Sequence, residues 1–278
     1  MTWWAIDVRT AAERRDVMSA WLVARTGQAV EEREDGTLVT FAADEATADA
    51  LVARLGREVD PTAQARQRML EPVDWSTRWR DGLEARRFGR LTVLPSWLAE
   101  ATSPGPITLV LDPETAFGSG EHGSTRVALT LLEQLIMPGD QVLDLGSGSG
   151  ILAIAAVKLG ASRAIGIESD PEANEVAARN AARNGVTSQV ELLEGDAGVL
   201  APLAGPSDLL LSNILRTVNT TLLPAIREAL RPGGLAIFSG MEEPEAPAFR
   251  NGLRVGGFRL VQESVDAGWW GVAAERGR

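Results

Sequence analysis

Short segments of alternating polar and apolar residues occupy about the first 60 positions of the chain, and glycine or aspartate separates them. Residues 3–9 alternate as a strand does, whereas Val17, Trp21 and Ala24 recur at the spacing of a helix. The same patterns predict a helix over 11–25 ended by Gly27, a hairpin of 28–32 and 37–42 that turns at Asp35-Gly36, and a helix over 45–55 between Asp44 and Gly56. This order predicts a small α+β sandwich of the ferredoxin-like type over residues 1–59.

The next segment, from Asp60 to Pro72, is polar and arginine-rich and lacks a strong apolar period. It predicts an interdomain linker or a short exposed helix, which we place at 60–73. Trp75, Trp79 and Leu83 then follow at the spacing of one helical stripe, which is typical of core packing rather than of ligand stacking. A second domain is expected over 74–278.

Apolar runs alternate with helical patterns through most of the second domain. They predict strands over 91–94, 107–111, 142–145, 164–168, 190–193, 209–212 and 235–239, helices over 126–135, 151–156, 171–184 and 218–230, and a final pair of strands over 258–264 and 269–274. Alternating strands and helices indicate an α/β fold with a doubly wound, mostly parallel sheet, closed at one edge by an antiparallel hairpin.

A glycine turn, residues 144–150, connects the strand over 142–145 to the helix over 151–156. Backbone without side chains lets a ligand approach the helix N-terminus closely, so this turn predicts a nucleotide site. The dinucleotide fingerprint requires a further glycine where this chain has Ile151, which argues against NAD. Asp144 would repel a pyrophosphate but suits an ammonium or a sulfonium group. S-adenosylmethionine carries both cations and no phosphate.

Two further carboxylates follow strands on the same side of the predicted sheet. Glu168 ends the second strand, 22 residues after Gly146, where a carboxylate accepts hydrogen bonds from ribose hydroxyls. Asp196 follows the third strand and would face the adenine amino group, or else serve only as a turn or cap residue. An earlier glycine-rich loop, residues 116–125, could cover the ligand, with Phe117 as an apolar wall and the hydroxyl of Ser124 or Thr125 as a hydrogen-bond partner.

Composition excludes several classes of function. The chain has no cysteine and one histidine, so disulfides and thiolate metal sites are excluded and no metal site is expected. The net charge of −11 argues against binding to nucleic acid. The N-terminus lacks a signal peptide, and no apolar run is long enough to span a membrane, so we expect a soluble cytoplasmic protein that does not bind membranes.

The sequence resembles the class I methyltransferases and, within them, the ribosomal protein L11 methyltransferase family (PrmA). The resemblance covers most of residues 72–278 and is carried by the glycine turn and by three further segments: Asp112-Pro113, Ala116-Phe117-Gly118-Ser119-Gly120 with His122, and Asn213-Ile214-Leu215. It implies a seven-stranded methyltransferase sheet, S-adenosylmethionine as cofactor, and cofactor contacts at Thr125, Gly146, Glu168 and Asn213. The full predicted cofactor site comprises Phe117, Gly118, Thr125, Asp144, Gly146, Gly148, Glu168, Asp196 and Asn213.

The resemblance also implies a reaction, in which the sulfonium methyl group moves to lysine ε-amines and to the N-terminal α-amine of ribosomal protein L11. Asn213 and the backbone carbonyl of Ile214 are the predicted catalytic acceptors for the amine. His122 either holds its loop through hydrogen bonds, which we favour, or accepts a proton. Residues 1–59 would then recognise the substrate protein, and we expect a monomer.

Two positions depart from the family pattern. Glu168 stands where aspartate is common, and either carboxylate can bind a ribose. His122-Gly123-Ser124-Thr125 replaces the usual His-Pro-Thr-Thr, which keeps the last hydroxyl and relaxes the backbone.

Other functions remain possible from the sequence alone. A methyltransferase of nucleic-acid base amines usually carries an Asn/Asp-Pro-Pro-aromatic turn, whereas this chain has Asn213-Ile214-Leu215-Arg216. A methyltransferase of another protein, a noncatalytic cofactor-binding protein and an NAD-linked oxidoreductase are the remaining alternatives.

Overall fold

The computed structural model describes residues 3–26, 30–33, 35–69, 83–99 and 107–277. The chain divides into two compact units, Met1–Arg78 and Trp79–Arg278. Within the described residues, no helix is long and apolar enough to cross a membrane.

The first unit has the ferredoxin-like arrangement that the sequence predicts. Its elements are β1 (Trp4–Arg9), α1 (Arg15–Thr26), β2 (Glu31–Glu32), β3 (Leu38–Ala42), α2 (Glu45–Glu58) and β4 (Gln64–Met69), with a single helical turn at Ala12–Arg14. The sheet order is β2-β3-β1-β4, with every neighbouring pair antiparallel. Met18 and Leu22 of α1 pack with Leu51 and Leu55 of α2 in one apolar core.

Two predictions in this unit are wrong. Gly56 does not end the second helix, because α2 continues through it to Glu58 and the chain leaves the helix at Val59, whose N–H bonds to the carbonyl of Leu55. The predicted linker contains a strand, because Gln64–Met69 pairs with β1 along its whole length. This edge strand is held by its backbone, four of its six residues are exposed and none is buried, so it shows no apolar period. The rest of that prediction, residues 70–73, lies outside the described residues, as do Gly27, Gln28, Trp75 and Trp79.

The second unit alternates strands and helices from residue 123 onward. Its strands are β5 (Arg86–Phe88), β6 (Leu91–Leu94), β7 (Ile107–Val110), β8 (Gln141–Leu145), β9 (Arg163–Glu168), β10 (Val190–Glu194), β11 (Ser207–Asn213), β12 (Leu230–Glu242), β13 (Phe258–Asp266) and β14 (Trp269–Arg276). Its helices are α3 (Gly123–Leu135), α4 (Ile151–Lys158), α5 (Pro171–Arg183), α6 (Ala197–Ala204), α7 (Arg216–Ala229) and α8 (Ala246–Val255), with single turns at Ser96–Leu98 and Glu243–Glu245.

The described strands of this unit confirm the doubly wound sheet. Seven of them run in the order β10-β9-β8-β11-β12-β14-β13, parallel from β10 to β12 and antiparallel at β14 and β13. Side chains alternate between the two faces. Val142 packs in the cluster that includes α3 and α4, whereas Leu143 packs in the cluster that includes α7 and α8. The strand order reverses between β8 and β11, since β9 and β10 follow on one side of β8 and β11 and β12 on the other, and ligands of such sheets bind at the carboxyl ends of strands beside this reversal.

Three elements of this unit were not predicted from the sequence. β5 is only three residues long and contains two arginines, and it forms a small sheet with β6 and β7. Gly198 and Pro202 interrupt the helical pattern of α6, and Pro247 and Gly252 interrupt that of α8. In addition, α3 begins at Gly123, three residues before the predicted start.

Candidate functional site

A cleft of about 820 Å³ opens at the carboxyl ends of the parallel strands of the second unit. Its volume is within the range of small-molecule sites, about 300 to 1,000 Å³. The structure brings seven of the predicted site residues to this cleft, namely Phe117, Gly146, Gly148, Glu168, Asp196, Asn213 and Ile214. Three others, Gly118, Thr125 and Asp144, do not line it.

Neighbouring residues pack closely against two glycines of the glycine turn. Gly146, Gly148 and Gly150 have φ angles of 68°, 52° and 78°, a region that side chains disfavour. A Cβ atom on Gly148 would lie 2.6 Å from the carbonyl oxygen of Phe117, and one on Gly146 would lie 2.7 Å from Ile214 Cγ2. Alanine at Gly146 or Gly148 would therefore displace a neighbouring wall of the cleft.

The loop that carries Phe117 is fixed to the glycine turn. The backbone N–H of Ser149 donates to the carbonyl of Phe117 at 2.9 Å, and Ser149 Oγ donates to the carbonyl of Gly118 at 2.6 Å. The Phe117 ring remains 57% exposed beside the cleft. Gly118 thus supports the loop from behind, and Phe117 supplies the apolar wall.

Glu168 is oriented by backbone donors of two loops. Its Oε2 accepts from the N–H of Gly148 at 3.1 Å, and its Oε1 accepts from the N–H groups of Ser169 and Asp170 at 2.8 and 3.1 Å. These bonds hold the carboxylate at the end of β9, against the glycine turn and at the cleft surface. A ligand hydroxyl could reach the same carboxylate from the cleft.

Asp196 serves as a helix cap and also lines the cleft. Its Oδ1 accepts from the N–H of Gly198 at 2.7 Å and so caps α6. The alternative role predicted for Asp196, that of a cap residue, is therefore present in the fold. Its position on the cleft leaves the predicted contact with an adenine amino group as a proposal.

Asp144 lies behind the glycine turn and is 1% exposed. Its Oδ2 accepts from the N–H of Ala153 at 3.1 Å, while Oδ1, like Ser147 Oγ, has no partner among the described residues. Burial, and after it the charge of Glu168, raises the pKa of Asp144 to about 7. A bound cation would favour the charged form of this carboxyl group.

The raised pKa of Asp144 predicts a specific pH dependence of stability. The folded protein retains a proton that the unfolded chain loses near its ordinary pKa of 3.8, so stability falls as the pH rises from about 4 to about 7. We expect the free energy of unfolding of Asp144→Asn to fall by about 4 kcal/mol less over this pH range than that of the wild type. The figure corresponds to a shift of about three pKa units at about 1.36 kcal/mol each. Denaturant unfolding of both proteins between pH 4 and 8 measures it, and parallel stability curves would contradict the assignment.

The end of β11 brings Asn213 to the cleft beside α3. Asn213 Nδ2 donates to Thr125 Oγ1 at 3.2 Å, and Asn213 Oδ1 accepts from Ser239 Oγ at 2.9 Å. Thr125 is fully buried, so it orients Asn213 and does not face the cleft. Gly240, which the sequence analysis missed, has a φ angle of 85°, and a side chain there would overlap the backbone of Ile214. A glycine directly after a predicted strand was the available signal.

Another cleft residue that the sequence did not predict is Trp269, the first residue of β14. Its ring centroid lies 4.3 Å from that of His122, which in turn lies 5.4 Å from that of Phe117. His122 Nδ1 and Ser124 Oγ are hydrogen-bonded at 2.7 Å. Burial, and after it the charge of Arg126, lowers the pKa of His122, which favours a neutral imidazole at pH 7.

These contacts predict that His122 holds the loop. We expect His122→Ala to lower the rate of the reaction proposed below by at most about 10-fold, the size of one lost hydrogen bond and one ring contact. The pH profile of the rate should keep its shape. The substitution replaces a neutral imidazole that contacts two aromatic rings, and so it removes no titrating group. Initial rates from pH 6 to 10 measure this, and loss of one limb of the profile would instead show proton transfer by His122.

Comparison with known proteins identifies the family. The family model described as Ribosomal protein L11 methyltransferase (PrmA) matches residues 2–277. The chain belongs to this family. Among curated PrmA proteins, that of Pelotomaculum thermopropionicum is 37% identical over 215 residues, 77% of this chain and 69% of its own. That of Thermus thermophilus is 41% identical over 196 residues, 70% of this chain and 75% of its own.

A solved PrmA structure supports the same assignment. The ribosomal protein L11 methylase of Lactobacillus delbrueckii subsp. bulgaricus superposes with a TM-score of 0.63 at 31% identity. The match covers 70% of this chain and all of that chain. The predicted family and fold are therefore confirmed, and PrmA membership identifies a protein methyltransferase.

Proposed function

We propose that this protein transfers methyl groups from S-adenosylmethionine to lysine ε-amines and the N-terminal α-amine of ribosomal protein L11. The observation that carries the proposal is the meeting of three features in one cleft. These are the glycine turn, the Glu168 carboxylate, and the strand end with Asn213 and Ile214. The family match over residues 2–277 supports the same reaction.

The residues of the cleft fit the cofactor. Among the described residues that line it, Glu168 and Asp196 are negatively charged and no arginine or lysine is present. This charge suits a cationic nucleoside and opposes a pyrophosphate. The buried Asp144 Oδ1 and Ser147 Oγ, both without a partner within the described chain, lie in the same glycine turn. S-adenosylmethionine supplies a methyl group activated on a sulfonium, so the protein needs mainly to position and desolvate the acceptor.

The cleft walls favour an uncharged amine. A lysine side chain has a pKa of about 10.4, so deprotonating it at pH 7 requires about 4 to 5 kcal/mol. Phe117, Leu215, Val218 and Trp269 give the cleft a largely apolar lining, and an apolar surrounding disfavours the ammonium form. Asn213 Oδ1 and the carbonyl oxygen of Ile214 accept hydrogen bonds from the amine and orient its lone pair.

A protein acceptor also needs a docking surface outside the cleft. We assign this role to the first unit, predicted over residues 1–59 and extended by β4, on the family resemblance. The net charge of −11 favours a basic partner over nucleic acid. The protein would act as a monomer.

Labelled S-adenosylmethionine tests the proposal. The protein is incubated with ribosomal proteins from a strain that lacks its own L11 methylation, and the labelled products are separated. Label on ribosomal protein L11 supports the proposal. Label on a different protein would show that L11 is not the substrate but would still support methyl transfer. Absence of label together with binding of NAD would contradict both the substrate and methyl transfer.

A further inference from the structure

Asn219, on the first turn of α7, is fully buried directly beneath the strand end that carries Asn213 and Ile214. Its Nδ2 donates to the carbonyl oxygen of Ile214 at 3.0 Å and to that of Ser239 at 3.2 Å. Its Oδ1 accepts from Ser212 Oγ at 2.6 Å. All three hydrogen bonds of this buried amide group are therefore directed at the paired ends of β11 and β12 and at Ile214, which follows β11.

Ser239, the last residue of β12 that pairs with β11, makes the matching contact to Asn213. Its hydroxyl group is fully buried and donates to Asn213 Oδ1 at 2.9 Å. The two oxygens that we assign to the acceptor amine are thus each held by one buried donor, Ser239 for Asn213 and Asn219 for Ile214. Because a carbonyl oxygen has two lone pairs, one lone pair on each oxygen remains for the amine.

The contact to Ile214 is not required by the sheet. The paired residues of β11 and β12 end at Asn213 and Ser239, so Ile214 lies one residue beyond the ladder. It lies equally outside α7, which begins at Arg216. The direction of the Ile214 carbonyl is therefore set by the Asn219 side chain and by the backbone of Gly240 packed against it.

We propose that Asn219 and Ser239 are positioning residues that aim the Ile214 and Asn213 oxygens at the methyl-accepting amine. This inference rests on the proposed function and assigns residues to its acceptor side. Neither residue lines the cleft. Their loss should therefore impair use of the acceptor and leave cofactor binding intact.

The chain offers a matched control for Ser239. Ser207, at the opposite end of β11, is also buried, and its hydroxyl donates to the carbonyl of Ala229 at 3.1 Å. Ser239→Ala and Ser207→Ala each remove one buried hydroxyl donor from the same pair of strands. Similar losses of thermal stability are expected for both, so their activities separate positioning from folding. Asn219→Leu, which keeps the side-chain volume and removes the donor, tests the second positioning residue.

The experiment measures kcat and KM with ribosomal protein L11 and binding of S-adenosylhomocysteine by calorimetry. Ser239→Ala and Asn219→Leu should each lower kcat/KM for L11 roughly 10-fold or more, with unchanged affinity for S-adenosylhomocysteine. Ser207→Ala should match the wild type in both measurements.

Different outcomes separate the inference from the proposed function. If Ser239→Ala and Ser207→Ala lose activity equally, or if S-adenosylhomocysteine binding falls in parallel with the rate, the positioning role is wrong while methyl transfer stands. If Asn219→Leu is unstable, the comparison of the two serine variants decides alone. No methylation of L11 by the wild type would overturn the proposed function and this inference with it.

Discussion

Gly148→Ala is expected to weaken binding of S-adenosylmethionine roughly 100-fold, the size of effect that a shift of about 1 Å in a binding site can produce. The new Cβ atom would lie 2.6 Å from the carbonyl oxygen of Phe117, which is a backbone atom and cannot rotate away. The Phe117 loop must then move off the glycine turn, and the hydrogen bond from Ser149 to Phe117 is lost with it. Calorimetric titration with S-adenosylmethionine measures the effect.

Gly185→Ala is the control for this substitution. Gly185 has a φ angle of 68°, close to the 52° of Gly148, and a Cβ atom there would meet nothing within 4 Å. Both variants carry the same strain of a left-handed alanine, about 1 to 2 kcal/mol. Only Gly148→Ala should lose cofactor affinity, and equal affinities in the two variants would contradict the close packing of loop and turn.

Asn213→Leu is expected to lower kcat about 100-fold, the usual size of effect when one preorganised polar group is removed from a reacting centre. The variant keeps the side-chain volume but removes the amide oxygen that accepts from the amine. It also removes the bond from Nδ2 to Thr125, so a smaller loss of cofactor affinity should accompany it. Single-turnover rates with saturating S-adenosylmethionine separate the two effects.

Asn213→Asp tests whether the rate depends on an oxygen atom at this position, on the neutral charge of the amide, or on both. The carboxylate keeps an oxygen at the same place, but its negative charge favours the ammonium form of the substrate and raises its pKa. The rate of this variant should recover with increasing pH and exceed that of Asn213→Leu above pH 9. Equal rates for both variants at every pH would exclude a role for the Asn213 oxygen.

Strong periodic patterns made most of the second unit predictable. Strands such as β8 and β11 are buried on both faces and have continuous apolar runs, and Pro171 marks the start of α5. The sequence pattern did not predict β4, because this edge strand is held by backbone hydrogen bonds, which leave no apolar period in its side chains. The helices α6 and α8 were missed because glycine and proline interrupt them, although their neighbours fix them in the fold.

The residues of the candidate site also fall into those that the sequence predicts and those that it does not. Gly146, Glu168 and Asn213 belong to short motifs at strand ends, so parallel topology alone predicts that they meet. Trp269 and Asn219 reach the site through a turn and helix packing across distant segments, and no local pattern marks them, whereas Gly240 carried only the signal of a glycine after a predicted strand. Asp144 is the most instructive residue. Its position in the glycine turn suggested direct contact with a cation, and the fold places it behind the turn with one oxygen on the Ala153 N–H.

The most direct test of the central claim is mass spectrometry of ribosomal protein L11 after reaction with this protein and S-adenosylmethionine that carries a deuterated methyl group. The proposed chemistry predicts labelled methyl groups on lysine ε-amines and on the N-terminal α-amine, and about 100-fold less label from Asn213→Leu at the same early reaction time. Label confined to other side chains, or no label on L11 under conditions where S-adenosylmethionine binds, would contradict it.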